Sequence, residues 1–267
     1  MTFRTLLVHV DTSAEGRFRL ENAVLLAGRF GAKLVGLGAA AFDPLPDGAG
    51  MTDRIAKEWI AEALQESERI FRQVTAAMPL AAWRTRRQRP ASALSELACG
   101  ADLVIGSRTS EIGSAEVFAR PDELVLSAGV PVLIQPPAAA PLDGARVVFG
   151  WKNTRESRRA AADALPFLTA AKDVLLLRFA PDVESADDDG LADVAERLRS
   201  HGVAVTVERR ERQDVAVGED LIAAATSAGA DLIVAGAYGQ PRVRDLILGG
   251  VTRHLLASSP EYVLLSH

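Results

Sequence analysis

The strongest constraint on this chain is that it repeats itself. Thr5-Leu-Leu-Val-His-Val-Asp-Thr-Ser lies on Arg146-Val-Val-Phe-Gly-Trp-Lys-Asn-Thr at a constant offset of 141 residues (146 − 5), without a gap. Two stretches with the same order of apolar and polar positions bury the same faces, so the chain must fold as two similar halves. Its 267 residues exceed the usual length of one domain, and a hydrophobic fraction of 48% can fill two cores.

The repeat continues beyond the first strand. Thr12-x-x-Glu15 falls on Asn153-x-x-Glu156, which predicts a helix N-cap and a returning carboxylate at one register in both copies. The helices that follow carry apolar residues at Phe18, Leu20, Val24, Leu25 and Ala27, and at Ala160, Ala164, Leu165 and Leu168. Second strands are expected at Lys33 to Leu37 and Asp173 to Leu177, short apolar runs of the kind parallel sheets bury on both faces. The copies then diverge. The first predicts a long helix over Asp53 to Ala77, capped by Thr52, with an apolar stripe of Ile55, Trp59, Ala63, Ile70 and Val74 that places Trp59 in the core. The second has Asp187-Asp188-Asp189 and a shorter helix around Leu191 to Arg199; the aspartates lack calcium-loop spacing and read as a solvated loop.

Third strands are expected at Ala82 to Arg89 and Val203 to Arg209, each with several arginines, read first as protection of a sheet edge and second as a basic docking patch. Helices at Ala93 to Ala98 and Asp220 to Ala228 lead to Ala101-Asp102-Leu-Val-Ile and Ala230-Asp231-Leu-Ile-Val, where the repeat is again plain. Asp102 and Asp231 stand just before these strands, where bonding loop backbone suits them better than catalysis. A last helix and strand close each copy at Val132-Leu-Ile and Val263-Leu-Leu, now at an offset of 131. The proline-rich stretch between them marks a linker, giving domains at 1–138 and 145–267 joined by 139–144.

Each copy thus reads β-α-β-α-β-α-β-α-β. With right-handed crossovers this predicts an α/β chain of two tandem, doubly wound, five-stranded parallel-sheet domains, Rossmann-like in strand order 3-2-1-4-5. Ligands of such sheets sit beyond the carboxyl ends of the strands, at the switch point between the first and fourth. In copy two the loop meeting there is Gly236-Ala-Tyr-Gly239 with Gly249-Gly250-Val-Thr252. Glycines that let backbone N–H groups approach an anion, ahead of a helix start, favour phosphate; a turn that needs glycine only for tight geometry is the alternative. Copy one has Gly106 to Ser114 at that place, without this spacing, and it reads first as a plain loop and second as one whose serines hydrogen-bond phosphate.

Val10-Asp11-x-Ser13, the Ala-Asp-Leu fourth strands, the glycine loop and Val130 to Leu133 together resemble a tandem member of the universal stress protein family over nearly the whole chain. The resemblance implies an acidic residue after the first strand on the adenine side and a glycine loop holding ribose and phosphates. Asp11 matches the acidic position in copy one, while copy two has Lys152 there; Gly236, Gly239, Gly249, Gly250 and Thr252 match the loop, with Gly250 where the family has Ser or Thr. The implied function is a non-catalytic stress-response regulator with ATP or another adenine nucleotide as ligand. Lys152 meets a phosphate or another small anion, or is solvated. A nucleotide-free interaction protein is the alternative, and a weak ATP hydrolase a distant one.

No nucleophile elbow, zincin pair or phosphate-loop lysine occurs, which argues against an enzyme. A net charge of −5 argues against nucleic acid as a partner. The single cysteine, Cys99, is expected in the core, and no metal-ligand spacing occurs among the four histidines. The chain begins on a strand-like run without a leader pattern and has no membrane-length apolar run, so a cytoplasmic protein is expected. The exposed edges Val130-Pro-Val-Leu-Ile134 and Tyr262-Val-Leu-Leu-Ser266 are expected to pair about a pseudo-twofold axis, making one chain mimic a dimer; further homo-oligomerisation stays open.

Overall fold

The computed structural model describes residues 2–41, 50–108, 118–137, 140–180, 189–211, 217–239 and 250–267, with the side chains of 50–53 left aside. Contacts divide the chain into Phe3–Val130 and Pro131–His267.

The first unit runs β1 (Thr5–His9), α1 (Ala14–Phe30), β2 (Lys33–Ala39), α2 (Gly50–Val74), β3 (Ala81–Arg86), α3 (Pro90–Leu97), β4 (Leu103–Ser107) and α4 (Pro121–Ser127). Its strands are parallel in the order β3-β2-β1-β4, with Leu6 beside Leu34 and Leu103. The apolar runs become strands buried on both faces: Leu6, Val8, Leu103, Val104 and Ile105 have no exposed surface.

The second unit runs β5 (Val132–Gln135), β6 (Arg146–Trp151), α5 (Arg155–Asp163), α6 (Leu165–Leu168), β7 (Asp173–Ala180), α7 (Leu191–Ser200), β8 (Val205–Glu211), α8 (Val217–Ala228), β9 (Leu232–Gly236), α9 (Gly250–Ser258) and β10 (Tyr262–Ser266). Five of its strands are parallel in the order β8-β7-β6-β9-β10, the 3-2-1-4-5 arrangement. β5 adds antiparallel to β10, with Val263 opposite Ile134 and Leu265 opposite Val132. Pro166 lacks an N–H and disfavours helix at the residue before it, which divides α5 from α6.

The paired aspartates do the same work in both units. Asp102 Oδ2 accepts the N–H groups of Arg4 and Thr5 at 2.7 and 2.8 Å, and Asp231 Oδ2 accepts those of Asp143 and Gly144 at 3.0 and 2.7 Å. Each ties the entry of a first strand to the entry of a fourth.

Four local expectations are corrected. The helix caps are Ser13 and Thr154, one residue beyond Thr12 and Asn153, because these hydroxyls accept the N–H groups of Gly16 and Ser157. Trp59 is 50% exposed, since the buried face of α2 runs through Ile60, Leu64, Ile70 and Phe71. Leu25 is likewise outside, with Leu20, Ala23, Leu26 and Ala27 forming the buried face of α1. Cys99 is exposed and not core, because it follows the end of α3 in a surface turn.

Candidate functional site

The switch point of the first unit lies between the carboxyl ends of β1 and β4, and its own side chains fill it. Asp11 follows β1, and Gly16 lets the first turn of α1 settle on it: a Cβ there would stand 2.2 Å from Asp11 Oδ1. The helix thereby delivers Arg19 into the gap. Its Nη2 lies 2.6 Å from Asp11 Oδ2, its Nε donates to the His9 carbonyl at 3.0 Å, and its Nη1 donates to the Ser107 hydroxyl at the end of β4. Asp11 also accepts the Ser13 N–H at 2.9 Å and the Ser13 hydroxyl proton.

Asp11 and Arg19 are 5% and 4% exposed, so this pair is held in low dielectric and by several hydrogen bonds at once. Burial alone would raise the Asp11 carboxyl, but Arg19 and the hydrogen bonds outweigh it and hold the group down at about 2. Buried His9, with Nε2 3.3 Å from the Ala39 carbonyl and Nδ1 3.5 Å from Asp11, is pushed down to about 4 by burial and is neutral at pH 7.

The second unit builds the equivalent place, between β6 and β9, without that network. At the offset of 141, Lys152 stands for Asp11, Ala160 for Arg19 and Gly150 for His9; at the offset of 129 that relates β9 to β4 (232 − 103), Gly236 stands for Ser107. A Cβ on Gly236 would lie 2.4 Å from the Ser157 nitrogen, so the end of β9 packs directly on the first turn of α5. A Cβ on Gly239 would meet Glu156 Oε2 at 2.9 Å and Thr154 Oγ1 at 3.0 Å.

Between these glycines Tyr238 adopts a left-handed conformation, φ 58°, which costs a residue with a Cβ about 1–2 kcal/mol. The bend is braced from three sides: the Tyr238 N–H donates to Thr252 Oγ1 at 3.3 Å, its ring meets His267 edge-on at 5.9 Å, and the Ala237 N–H donates to the Ser266 carbonyl at 2.8 Å. Burial would raise the carboxyl of Glu156; hydrogen bonds from Arg155, from its own backbone N–H and from Thr154 draw it down, so it is ionised beside its Arg155 partner.

A carboxylate near the end of β6 comes from elsewhere. Asp189, φ 49°, accepts the Asn153 N–H on Oδ2 at 3.1 Å, lies 3.7 Å from Arg178 Nε, and offers its carbonyl to Trp151 Nε1 at 3.0 Å. This corrects the reading of Asp189 as merely solvated; Asp187 and Asp188 lie outside the described residues.

Of the residues singled out by sequence, Gly236, Gly239 and Thr252 come together in the second unit, Thr252 being 3% exposed and turned to the loop backbone. Lys152 is exposed at the end of β6, and Gly250 opens α9 with nothing within 4 Å of an added Cβ. Gly249, and the copy-one loop from 109 to 117, lie outside the described residues. Asp11 belongs to the buried network of the first unit. Sequence reasoning missed Arg19 and Asp189. Arg19 had a signal, since it stands four residues before Ala23 and seven before Leu26 on the buried face of α1. Asp189 had none, because its partners are brought to it only by the sheet. Among the described residues no cluster of His, Cys, Asp and Glu could hold a metal ion, and no helix is long and apolar enough to cross a membrane.

Residues 145–267 match the universal stress protein family. The whole fold is similar to that of a universal stress protein from Archaeoglobus fulgidus, at 17% identity and a TM-score of 0.73, covering 98% of this chain and 95% of that one. It is also similar to a functionally unknown protein from Pseudomonas aeruginosa, at 16% identity and a TM-score of 0.63, covering 99% and 92%. No curated protein matches the sequence.

Proposed function

We propose that the chain is a tandem universal stress protein, with domains at 1–138 and 145–267 and a linker at 139–144, that serves as a non-catalytic regulator of a stress response in the cytoplasm. In this reading one domain keeps a ligand site and the other has closed its own. The ligand, an adenine nucleotide or another small anion, sits beyond β6 and β9 in the domain that matches the family. The observation that carries the reading is the contrast of switch points: Arg19, Asp11 and Ser107 occupy the first, and glycine backbone with an exposed lysine forms the second.

The residues fit such a ligand in part. Gly236 is already used by α5, and Thr252 braces the Tyr238 bend, so the ligand contacts fall to Gly239, the Gly250 end of α9 and Lys152. The amide end of α9 and the ammonium of Lys152 favour an anion. Glu156 beside Gly239 opposes one, and its pairing with Arg155 offsets that charge. Calorimetric titration of ATP tests the reading: the wild type should bind, Lys152→Glu should bind about tenfold more weakly, and both should show the same circular dichroism. No heat from ATP at millimolar concentration would replace it with the nucleotide-free interaction protein.

A further inference from the structure

β3 pairs with β2 on one side, and among the described residues no strand covers its other side. The Leu80 and Arg86 carbonyls accept the N–H groups of Leu34 and Ala40, so the even-numbered backbone groups of β3 face β2. By the alternation of a strand, the N–H and carbonyl groups of Trp83 and Thr85 face outward. Both of those carbonyls are covered from within the strand: Arg84 Nη1 donates to the Trp83 carbonyl at 3.0 Å and Arg86 Nη1 to the Thr85 carbonyl at 2.9 Å. The two guanidiniums therefore lie along the open edge.

The charge there is one-sided. No acidic residue occurs between Glu68 and Glu96, while Arg84, Arg86, Arg87 and Arg89 stand close together, in a chain whose net charge is −5. The matching strand of the second unit differs. β8 carries Glu208 and Glu211 among its arginines, and Arg210 Nε lies 2.6 Å from Glu208.

We propose that the β3 edge docks an acidic, extended peptide segment of a partner protein. Its carboxylates draw the Arg84 and Arg86 guanidiniums off the Trp83 and Thr85 carbonyls, and its backbone then pairs with those outward groups as an added strand. A carboxylate meets each guanidinium with a full opposite charge and a two-oxygen fork, where the carbonyl offers one partial charge, so the exchange favours the carboxylate. The register also matches. Arg84 and Arg86 are two residues apart on one face, as are alternate residues of an incoming strand. A second β3 edge is refused by like charge. A nucleic-acid backbone offers its phosphates as acceptors and would leave both carbonyls without donors.

Fluorescence anisotropy of a labelled peptide alternating Glu and Thr, with hydrogen exchange at the Trp83 and Thr85 amides, tests this. The full chain should bind the peptide, protect both amides, and bind about tenfold more weakly as R84Q/R86Q, while R209Q/R210Q binds as the wild type does. Equal binding of a Lys-Thr peptide, absence of protection at the two amides, or stronger binding of an oligothymidylate would overturn it. Should R84Q/R86Q fail to fold, which circular dichroism reports, protection of the wild-type amides by the Glu-Thr peptide and not by the Lys-Thr peptide decides.

Discussion

The two switch points show two ways of finishing the same sheet. In the first unit a helix side chain reaches back into the gap, and Arg19 joins His9, Asp11 and Ser107 across β1, α1 and β4. In the second the same positions are Gly150, Lys152, Ala160 and Gly236, and the glycine at the end of β9 lets backbone pack on the first turn of α5. The first solution is charged inside, and it pairs the Asp11 carboxylate with an internal partner. The second leaves its one new charge, Lys152, in solvent. The two units thus share a frame while their switch points differ: the first is held by a network of four residues, the second by glycine packing.

The largest expected effect breaks the first solution. Arg19→Ala leaves the Asp11 carboxylate buried without its cation, and should destabilise the chain by about 3–5 kcal/mol in denaturant unfolding. Lys152→Ala, at the place of Asp11 in the second unit, should stay within about 0.5 kcal/mol. If the two variants unfold alike, the buried pair does not hold the first unit as argued. The double variant D11L/R19M should recover much of the loss, because it removes both charges together.

Acid should separate the units next. The folded value of His9, about 4, lies below its ordinary 6.5, so as pH falls the unfolded chain takes up the proton first. Its contribution to stability is whole above about pH 6.5 and is lost as pH falls toward 4, about 3 kcal/mol in all at about 1.4 kcal/mol per pH unit. Asp11 adds a second loss at lower pH, between its ordinary 3.8 and about 2, for the same reason of sign. His9→Gln should flatten the fall between pH 6.5 and 4 in urea midpoints; the corresponding position of the second unit is Gly150. An unchanged slope in the variant would assign the acid sensitivity elsewhere.

Much of this frame was legible in the sequence because it depends on patterns along the chain. The offset of 141 carried both first strands and both cap regions, and Asp102 and Asp231 announced their shared work by standing at one register. The parallel order of β8-β7-β6-β9-β10 follows from alternating strands and helices with crossovers of one hand. What sequence missed depends on direction in space. Trp59 fits an apolar stripe drawn at helical spacing, yet Ile60, Leu64 and Phe71 define the face that meets the sheet. Gly236 has a packing reason for glycine that only the fold displays, because an added Cβ there meets backbone in the first turn of α5. Arg19 escaped sequence reasoning because its reach depends on Gly16, which lets the helix come close enough to deliver it.

The smallest effect sharpens what the two units still share. Ser13 and Thr154 cap α1 and α5, accepting N–H groups at 2.9 and 3.3 Å. Each hydroxyl also gives its proton to a carboxylate, Ser13 to Asp11 and Thr154 to Glu156. Removing a cap hydroxyl costs about 1 kcal/mol, so Ser13→Ala and Thr154→Ala should both lower the urea midpoint modestly. They should differ in acid. Asp11 is buried against Arg19, and losing a donor to its charged form raises its pKa toward the ordinary value, which narrows the gap to the unfolded chain. The low-pH loss of stability should therefore shrink in Ser13→Ala, and less in Thr154→Ala, because Glu156 keeps the Arg155 guanidinium and stands outside the buried network. Equal acid profiles for the two variants would mean that the Ser13 hydroxyl serves the helix end alone, and that the closed switch point rests on Arg19 without it.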